Sequence, residues 1–160
     1  MDGIATQHQK HMATALALAE ESLQAGGGPF GAVIVKNNRV IGRGNNRVTL
    51  DNDPTAHAEM VAIRRACRAM NDFQLADCII YVNCEPCPMC LAALYWAGVT
   101  AIFFAADRND AAAIGFADNL IYQELARSPT ERRIPMHQLM RTEALHGFRL
   151  WDELEDKIPY

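Results

Sequence analysis

His57-Ala58-Glu59 is followed later in the chain by Pro86-Cys87-Pro88-Met89-Cys90. His57, Cys87 and Cys90 are side chains that bind zinc, and three protein ligands leave the fourth tetrahedral position open for water. Zinc lowers the pKa of such a water to about 7, which makes hydroxide available at neutral pH. Glu59, two residues after the histidine, is placed to take the water's proton and deliver it to the group under attack. The pattern therefore describes a hydrolytic centre in which one carboxylate carries protons for a metal-activated water.

A second reading uses the same residues. Cys84, Cys87 and Cys90 form C-x-x-C-x-x-C, and with His57 they can close a Cys₃His structural zinc site with no open position. Two features weigh against it. Pro86 stiffens the chain between Cys84 and Cys87, and Glu59 has no task in a closed site.

Both ligand segments fall where helices are expected to begin. Cys87 and Cys90 are three apart and share one side of a first turn. The free N–H groups and the positive end of the helix dipole there favour thiolates. His57 and Glu59 are two apart, so one reaches the metal while the other reaches the open coordination side. Around them, the pattern predicts a helix from about Thr6 to Gln24, ended by Gly26-Gly27-Gly28-Pro29. A strand Ala32–Val35 turns at Asn37-Asn38 into a strand Arg39–Gly44. Asn45 to Pro54 reads as a polar loop, with Thr55 as N-cap of a helix from about Ala56 to Met70. A strand Cys78–Val82, a helix Cys87–Ala97 and a strand Thr100–Ala105 follow. A polar, Ala-rich loop then leads to a helix near Asp118–Leu125, a fifth strand at Met136–Arg141 and a terminal helix near Phe148–Lys157. The first two strands pair as a hairpin, and strands joined by helical crossovers are expected to be parallel. Helices on both faces of a mixed sheet would bury the apolar strands.

Composition narrows the partners. A chain of 160 residues, half of them hydrophobic, has the size of one domain with one core. Its net charge is −4, with no Lys/Arg run and an acidic stretch Asp152, Glu153, Glu155, Asp156 near its end. A nucleic-acid binder usually shows a basic face. The expectation is a small-molecule substrate, with no nucleic acid and no membrane as partner. The five cysteines are odd in number, include C-x-x-C, and follow no signal-like segment, which fits a reducing cytoplasm. His8 and His11 read as surface positions on the first helix, His137 and His146 as solvated or packed. Cys67 and Cys78 read as core thiols, and Arg64, Arg65 and Arg68 as a solvated or interface face.

H-x-E…P-C-x-x-C is the signature of zinc-dependent nucleobase deaminases. With it go Gly28-Pro29-Phe30-Gly31-Ala32-Val33-Ile34-Val35, Asn52-Asp53-Pro54-Thr55-Ala56-His57-Ala58-Glu59, Cys84-Glu85-Pro86-Cys87-Pro88-Met89-Cys90, Ala111-Ala112-Ala113-Ile114-Gly115-Phe116 and a final Tyr160. On these residues the chain resembles the cytidine deaminase superfamily, and within it is similar to the small bacterial guanine deaminases. The zinc motif is superfamily-wide; the stretch Gly115 to Asp118 and the ending in Tyr are narrower.

The resemblance implies a three-layer α/β/α sandwich around a central five-stranded mixed sheet, and hydrolysis of guanine to xanthine and ammonia. It implies one zinc per chain on His57, Cys87 and Cys90. Glu59 and Asp118 would be catalytic, and Asn46, Phe30, Ala58, Trp96 and Tyr160 would bind substrate. It implies a single domain over residues 1–160 and a homodimer, with a segment of about 143–160 exchanged so that each tail covers the partner's active site. Other roles stay open for some of these. Phe30 and Trp96 can be core aromatics, Asp118 a helix N-cap, Asn46 a turn residue. Ala117 stands where the family often has a second acidic residue. The rival substrates are a tRNA adenosine, which would need a basic groove, and free cytosine, which would need a smaller pocket.

Overall fold

The computed structural model describes residues 2–159, which fall into two units, residues 1–118 and 119–160. Tyr160 lies outside the described residues.

In the first unit the elements run α1 (Asp2–Gln24), β1 (Gly31–Lys36), β2 (Arg39–Asn45), α2 (Val48–Asp51), α3 (Ala58–Met70), β3 (Cys78–Cys84), α4 (Pro88–Ala97), β4 (Ala101–Ala106) and α5 (Arg108–Ala113). Strand order is β2-β1-β3-β4. β1 is antiparallel to both neighbours, and β3 pairs with β4 in parallel. β2, β3 and β4 therefore share one direction, as helical crossovers require, while β1 sits reversed between β2 and β3. The hairpin closes through Asn37 and Asn38, both at positive φ (49° and 61°), the turn type asparagine tolerates.

Alternation along the two central strands builds a core on each face. Ala32 and Ile34 of β1, with Cys78, Ile80 and Val82 of β3, face α3 and α4. Val33, Val35 and Tyr81 face Ala15 and Leu18 of α1. Truncating fully buried Ile80 or Leu94 to Ala would cost about 2–5 kcal/mol through the lost burial and the cavity left behind. The layers are thus α1, sheet, and α3 with α4. α3 lies directly on β2 because two glycines let it: a Cβ on Gly44 would fall on the carbonyl oxygen of Ala58, and one on Gly42 would meet Ala62. That close seat fixes the start of α3, where the candidate ligands lie.

Several expectations need correction. Among the described residues the sheet has four strands, not five. Residues 135–140 form no ladder among the described residues. The run Met136-His137-Gln138-Leu139-Met140 has no β-branched or aromatic residue, and Met140 at φ 53° leads into the next helix. Two segments expected as loop form short helices, α2 and α5. α2 carries an exposed Arg47–Asp51 pair at 2.7 Å. α5 is opened by a reciprocal capping box between Asp107 and Asp110. Thr55 does not cap α3; Asp53 Oδ1 takes its N–H and hydroxyl, and the helix starts after His57. His11 is not a surface position, and His8 is partly exposed. His11 is buried and its Nε2 lies 2.8 Å from Asn38 Oδ1; His8 Nδ1 lies 2.7 Å from the Tyr81 hydroxyl.

The second unit contains α6 (Asn119–Leu125), a 3₁₀ turn Pro129–Glu131 and α7 (Arg141–Asp152). α7 starts seven residues before the expected Phe148. Arg132 Nε donates to the Glu124 carbonyl at 3.0 Å, and Glu124 pairs with Arg127 at 3.0 Å. Neither α6 nor α7 buries a side chain fully. Leu120, Ile134, Leu139, Phe148, Trp151 and Ile158 are all exposed. No helix among the described residues is long and apolar enough to cross a membrane.

Candidate metal centre and its surroundings

Two helix N-termini converge on the far side of the sheet from α1. His57 is the N-cap of α3 and Cys87 the N-cap of α4, each in extended backbone (φ near −66° and −65°). Pro88 at the first helical position costs no hydrogen bond, since that N–H would be free in any case. Cys90 follows one turn on. The Glu85 carboxylate holds the entry to α4. It accepts from Arg108 Nη2 at 2.6 Å and from the Arg108 backbone N–H at 3.1 Å, and Glu85 N donates to Ala106 O at 2.8 Å. The ends of β3 and β4 are thereby tied together just before Cys87. The pair is separated by 23 residues, so only its place beside the motif could have signalled it.

Among the described residues, His57, Cys87 and Cys90 form the group able to hold a metal ion, with their ligand atoms within 4.8 Å of one another. His57 Nδ1 lies 3.5 Å from each sulfur. A tetrahedral ion about 2.3 Å from sulfur and about 2.0 Å from nitrogen would set these atoms about 3.5 Å apart, so the spacing suits zinc. One of the two sulfurs is already disposed to be a thiolate. The Cys87 thiol is pushed down to about 4, first by the hydrogen bond from Cys90 and then by His57. Cys90 moves up, because it holds the proton that bonds Cys87 and because it is buried.

Cys84 stands apart from this group. Its thiol bonds the Asp107 carbonyl at 3.7 Å, and burial pushes it up to about 11. The closed Cys₃His arrangement is therefore absent. Cys84→Ser is expected to leave metal content unchanged, whereas Cys87→Ser should empty the site; elemental analysis of the purified variants decides, and metal loss from Cys84→Ser would restore the closed reading.

Glu59 is only 7 % exposed and lies in the first turn of α3. Burial raises its pKa, while its own backbone N–H and the Cys90 thiol hydrogen-bond the carboxylate. It is the buried acid of the centre. Asp118 is half-buried; burial raises its pKa, and it is close enough to feel the charge of Cys87.

Asn46 is 6 % exposed. Its Oδ1 accepts from the N–H of Gly28 at 3.4 Å and of Val48 at 3.2 Å, which turns Nδ2 away from both. Its N–H donates to Phe30 O at 3.0 Å, so Asn46 and Phe30 are held side by side. Phe30 packs against the core and meets Phe116 edge-on, centroids 4.9 Å apart. Phe116, which the sequence marks only as part of a motif, follows Gly115 at φ 95° and places a second aromatic ring beside Phe30. Ala58 is buried beside the centre. Trp96 is on the far end of α4 from Cys87 and 64 % exposed, so it is not a core aromatic.

The chain matches the model of the cytidine and deoxycytidylate deaminase zinc-binding region over residues 5–106. It is 51% identical to the guanine deaminase of Bacillus subtilis over 154 residues, 96% of this chain and 99% of that one. The solved structure of a Bacillus subtilis guanine deaminase superposes with a TM-score of 0.93, covering 96% of this chain and 98% of the other. A tRNA-specific adenosine deaminase of Aquifex aeolicus is 44% identical over 92 residues, 58% of this chain and 61% of that one. With the metal trio, the buried carboxylate and the match over most of its length, the chain belongs to the cytidine and deoxycytidylate deaminase family of zinc-binding proteins.

Proposed function

We propose that this chain is a zinc-dependent guanine deaminase: water replaces the exocyclic amino group of guanine, giving xanthine and ammonia. The observation that carries the substrate is the extent of the likeness. The guanine deaminase relative matches 96% of the chain, whereas the tRNA-specific relative matches 58%. The net charge of −4 also disfavours a polyanionic substrate.

Zinc bound by His57, Cys87 and Cys90 supplies a Lewis acid that makes water nucleophilic near neutral pH. Glu59 takes the proton that the attacking water gives up and delivers it to the ring nitrogen beside the attacked carbon. Protonation there makes that carbon electrophilic. Glu59, now free of that proton, takes the second one from the hydroxyl added to the carbon and hands it to the departing amine, so the carbonyl forms as the carbon–nitrogen bond breaks with ammonia as leaving group. Its burial keeps bulk water from competing for the proton. Asn46 presents its amide to the purine edge, with Phe30 packed on the ring and Ala58 at the floor. Asp118 assists at the amino group. Trp96, exposed on α4, would serve the ring only if the assembled dimer brings it there.

We further propose a cytoplasmic homodimer acting in purine metabolism, in which a segment of about 143–160 crosses to the partner and Tyr160 closes over its base. The many exposed apolar side chains of α6, α7 and the tail support a covered surface, since clustered apolar surface marks contacts. The five unpaired cysteines suit a reducing compartment.

Ammonia release from guanine, adenine, cytosine, guanosine and tRNA tests the substrate. Guanine alone is expected to turn over well, with weak dependence on added salt. Robust deamination of tRNA with none of guanine would overturn the assignment.

A further inference from the structure

The β1–β3 ladder runs from Lys36↔Cys78 to Ala32↔Val82 and stops there. Beyond it a side chain takes over the pairing. Asn83 Oδ1 accepts from Gly31 N–H at 2.8 Å, and Asn83 Nδ2 donates to Pro29 O at 2.9 Å. One partner only donates and the other only accepts, so the amide has a single orientation. The two bonds bracket Phe30, one on each side.

The same loop is held from its other flank. Phe30 N–H donates to Gly28 O at 2.8 Å, Phe30 O accepts from Asn46 N–H, and Asn46 Oδ1 accepts from Gly28 N–H. Ser22, fully buried, donates its hydroxyl to Asn46 O at 2.9 Å. The segment entering this loop is Gly26-Gly27-Gly28, which has little conformational preference of its own. Its geometry must come from side-chain clamps. Strand alternation puts Asn83 with Tyr81 on the α1 face, whereas Val82 faces α3 and α4. Asn83 also precedes Cys87 by four residues on the strand that delivers the thiolates.

We infer that Asn83 is a positioning residue: its amide fixes the Phe30 segment, and through it Asn46, against the strand that leads to Cys87, so that base recognition and the metal centre stay in register. This rests on the reading that Phe30 and Asn46 hold a nucleobase. Without the clamp the loop samples other conformations. Apparent affinity falls in proportion to the population that remains competent, while molecules that do bind react as before. A clamp that raises the competent population from about a tenth to nearly all of it is worth about tenfold in KM.

The experiment measures kcat, KM and zinc content for Asn83→Ala and Asn83→Asp, alone and with Phe30→Ala. Asn83→Ala is expected to raise KM about tenfold, with kcat within about threefold of the parent and zinc retained. Asn83→Asp keeps the acceptor for Gly31 but faces the Pro29 carbonyl with a carboxylate, so it should raise KM too; it carries the test if the alanine variant fails to fold. In the Phe30→Ala background, Asn83→Ala should add less than about twofold, because both act through one loop. An unchanged KM, or the same KM increase in the Phe30→Ala background, would overturn the inference. If the parent deaminates a base other than guanine, the guanine reading fails and the clamp is judged by the same ratios on that base.

Discussion

Glu59→Gln is expected to fold, keep its zinc and lose roughly two to four orders of magnitude in kcat, the scale of a lost general acid–base. Glutamine matches glutamate in length and shape, so the packing in the first turn of α3 should hold. What it lacks is a transferable proton. The side chain is almost fully buried beside Cys90, and no other described carboxylate is as enclosed there; Asp118 is half-buried. The metal ligands His57, Cys87 and Cys90 are untouched, so the variant separates proton transfer from metal binding. Zinc content by elemental analysis and ammonia release from guanine read the two separately. Near-normal turnover would sink the proton-shuttle role. Loss of zinc along with activity would mean that Glu59 acts on the metal's environment instead.

The metal trio could be read from sequence because its chemistry is local. Pro-Cys-x-x-Cys at a helix start places two sulfurs on one turn, and the structure brings His57 Nδ1 to 3.5 Å from both. Rejection of Cys84 was less secure from spacing alone. It becomes clear only when the Asp107 carbonyl, 23 residues on, is seen to take the thiol. The same limit hid the Glu85–Arg108 clamp and the partners of Asn83, all pairings of distant residues whose types carry no signal. For Trp96 the sequence leaves a core place and a substrate contact open, and its exposure removes only the core place. Aromatics bury readily, but α4 is hydrophobic over most of its surface, and no periodicity says which side meets the sheet.

Strands β1 to β4 were legible because both faces of β1 and β3 are buried and their runs are apolar and β-branched. The missing fifth strand failed for the opposite reason. Met136 to Met140 is apolar enough to suggest burial but lacks strand formers, and its side chains lie exposed. α2 and α5 are too short for a hydrophobic period to show. The signal that the loop reading passes over is Asp107 and Asp110, whose spacing is that of a capping box. His11 reads as exposed because a polar residue on an apolar face gives no sign of burial until its partner, Asn38, is known.

Deleting Ile158 to Tyr160 is expected to leave a folded, zinc-loaded protein whose guanine deamination is severely reduced. An acidic C-terminus normally frays and can be removed without loss. Here Trp151, Leu154 and Ile158 are large, apolar and exposed, which is costly unless another surface covers them. A tail that crosses to the partner would cover them and shut the pocket around a free base, excluding water and leaving no room for a nucleoside. Mixing Glu59→Gln chains with tail-deleted chains tests the crossing directly. A heterodimer would own one site with an intact Glu59 and a borrowed tail. With equal, random pairing, half the dimers are mixed and one site in each works, so recovery is capped at about a quarter of parental activity. Full activity of the deletion by itself would eliminate the lid. Failure to recover activity in heterodimers shown to form would mean that each tail serves its own chain.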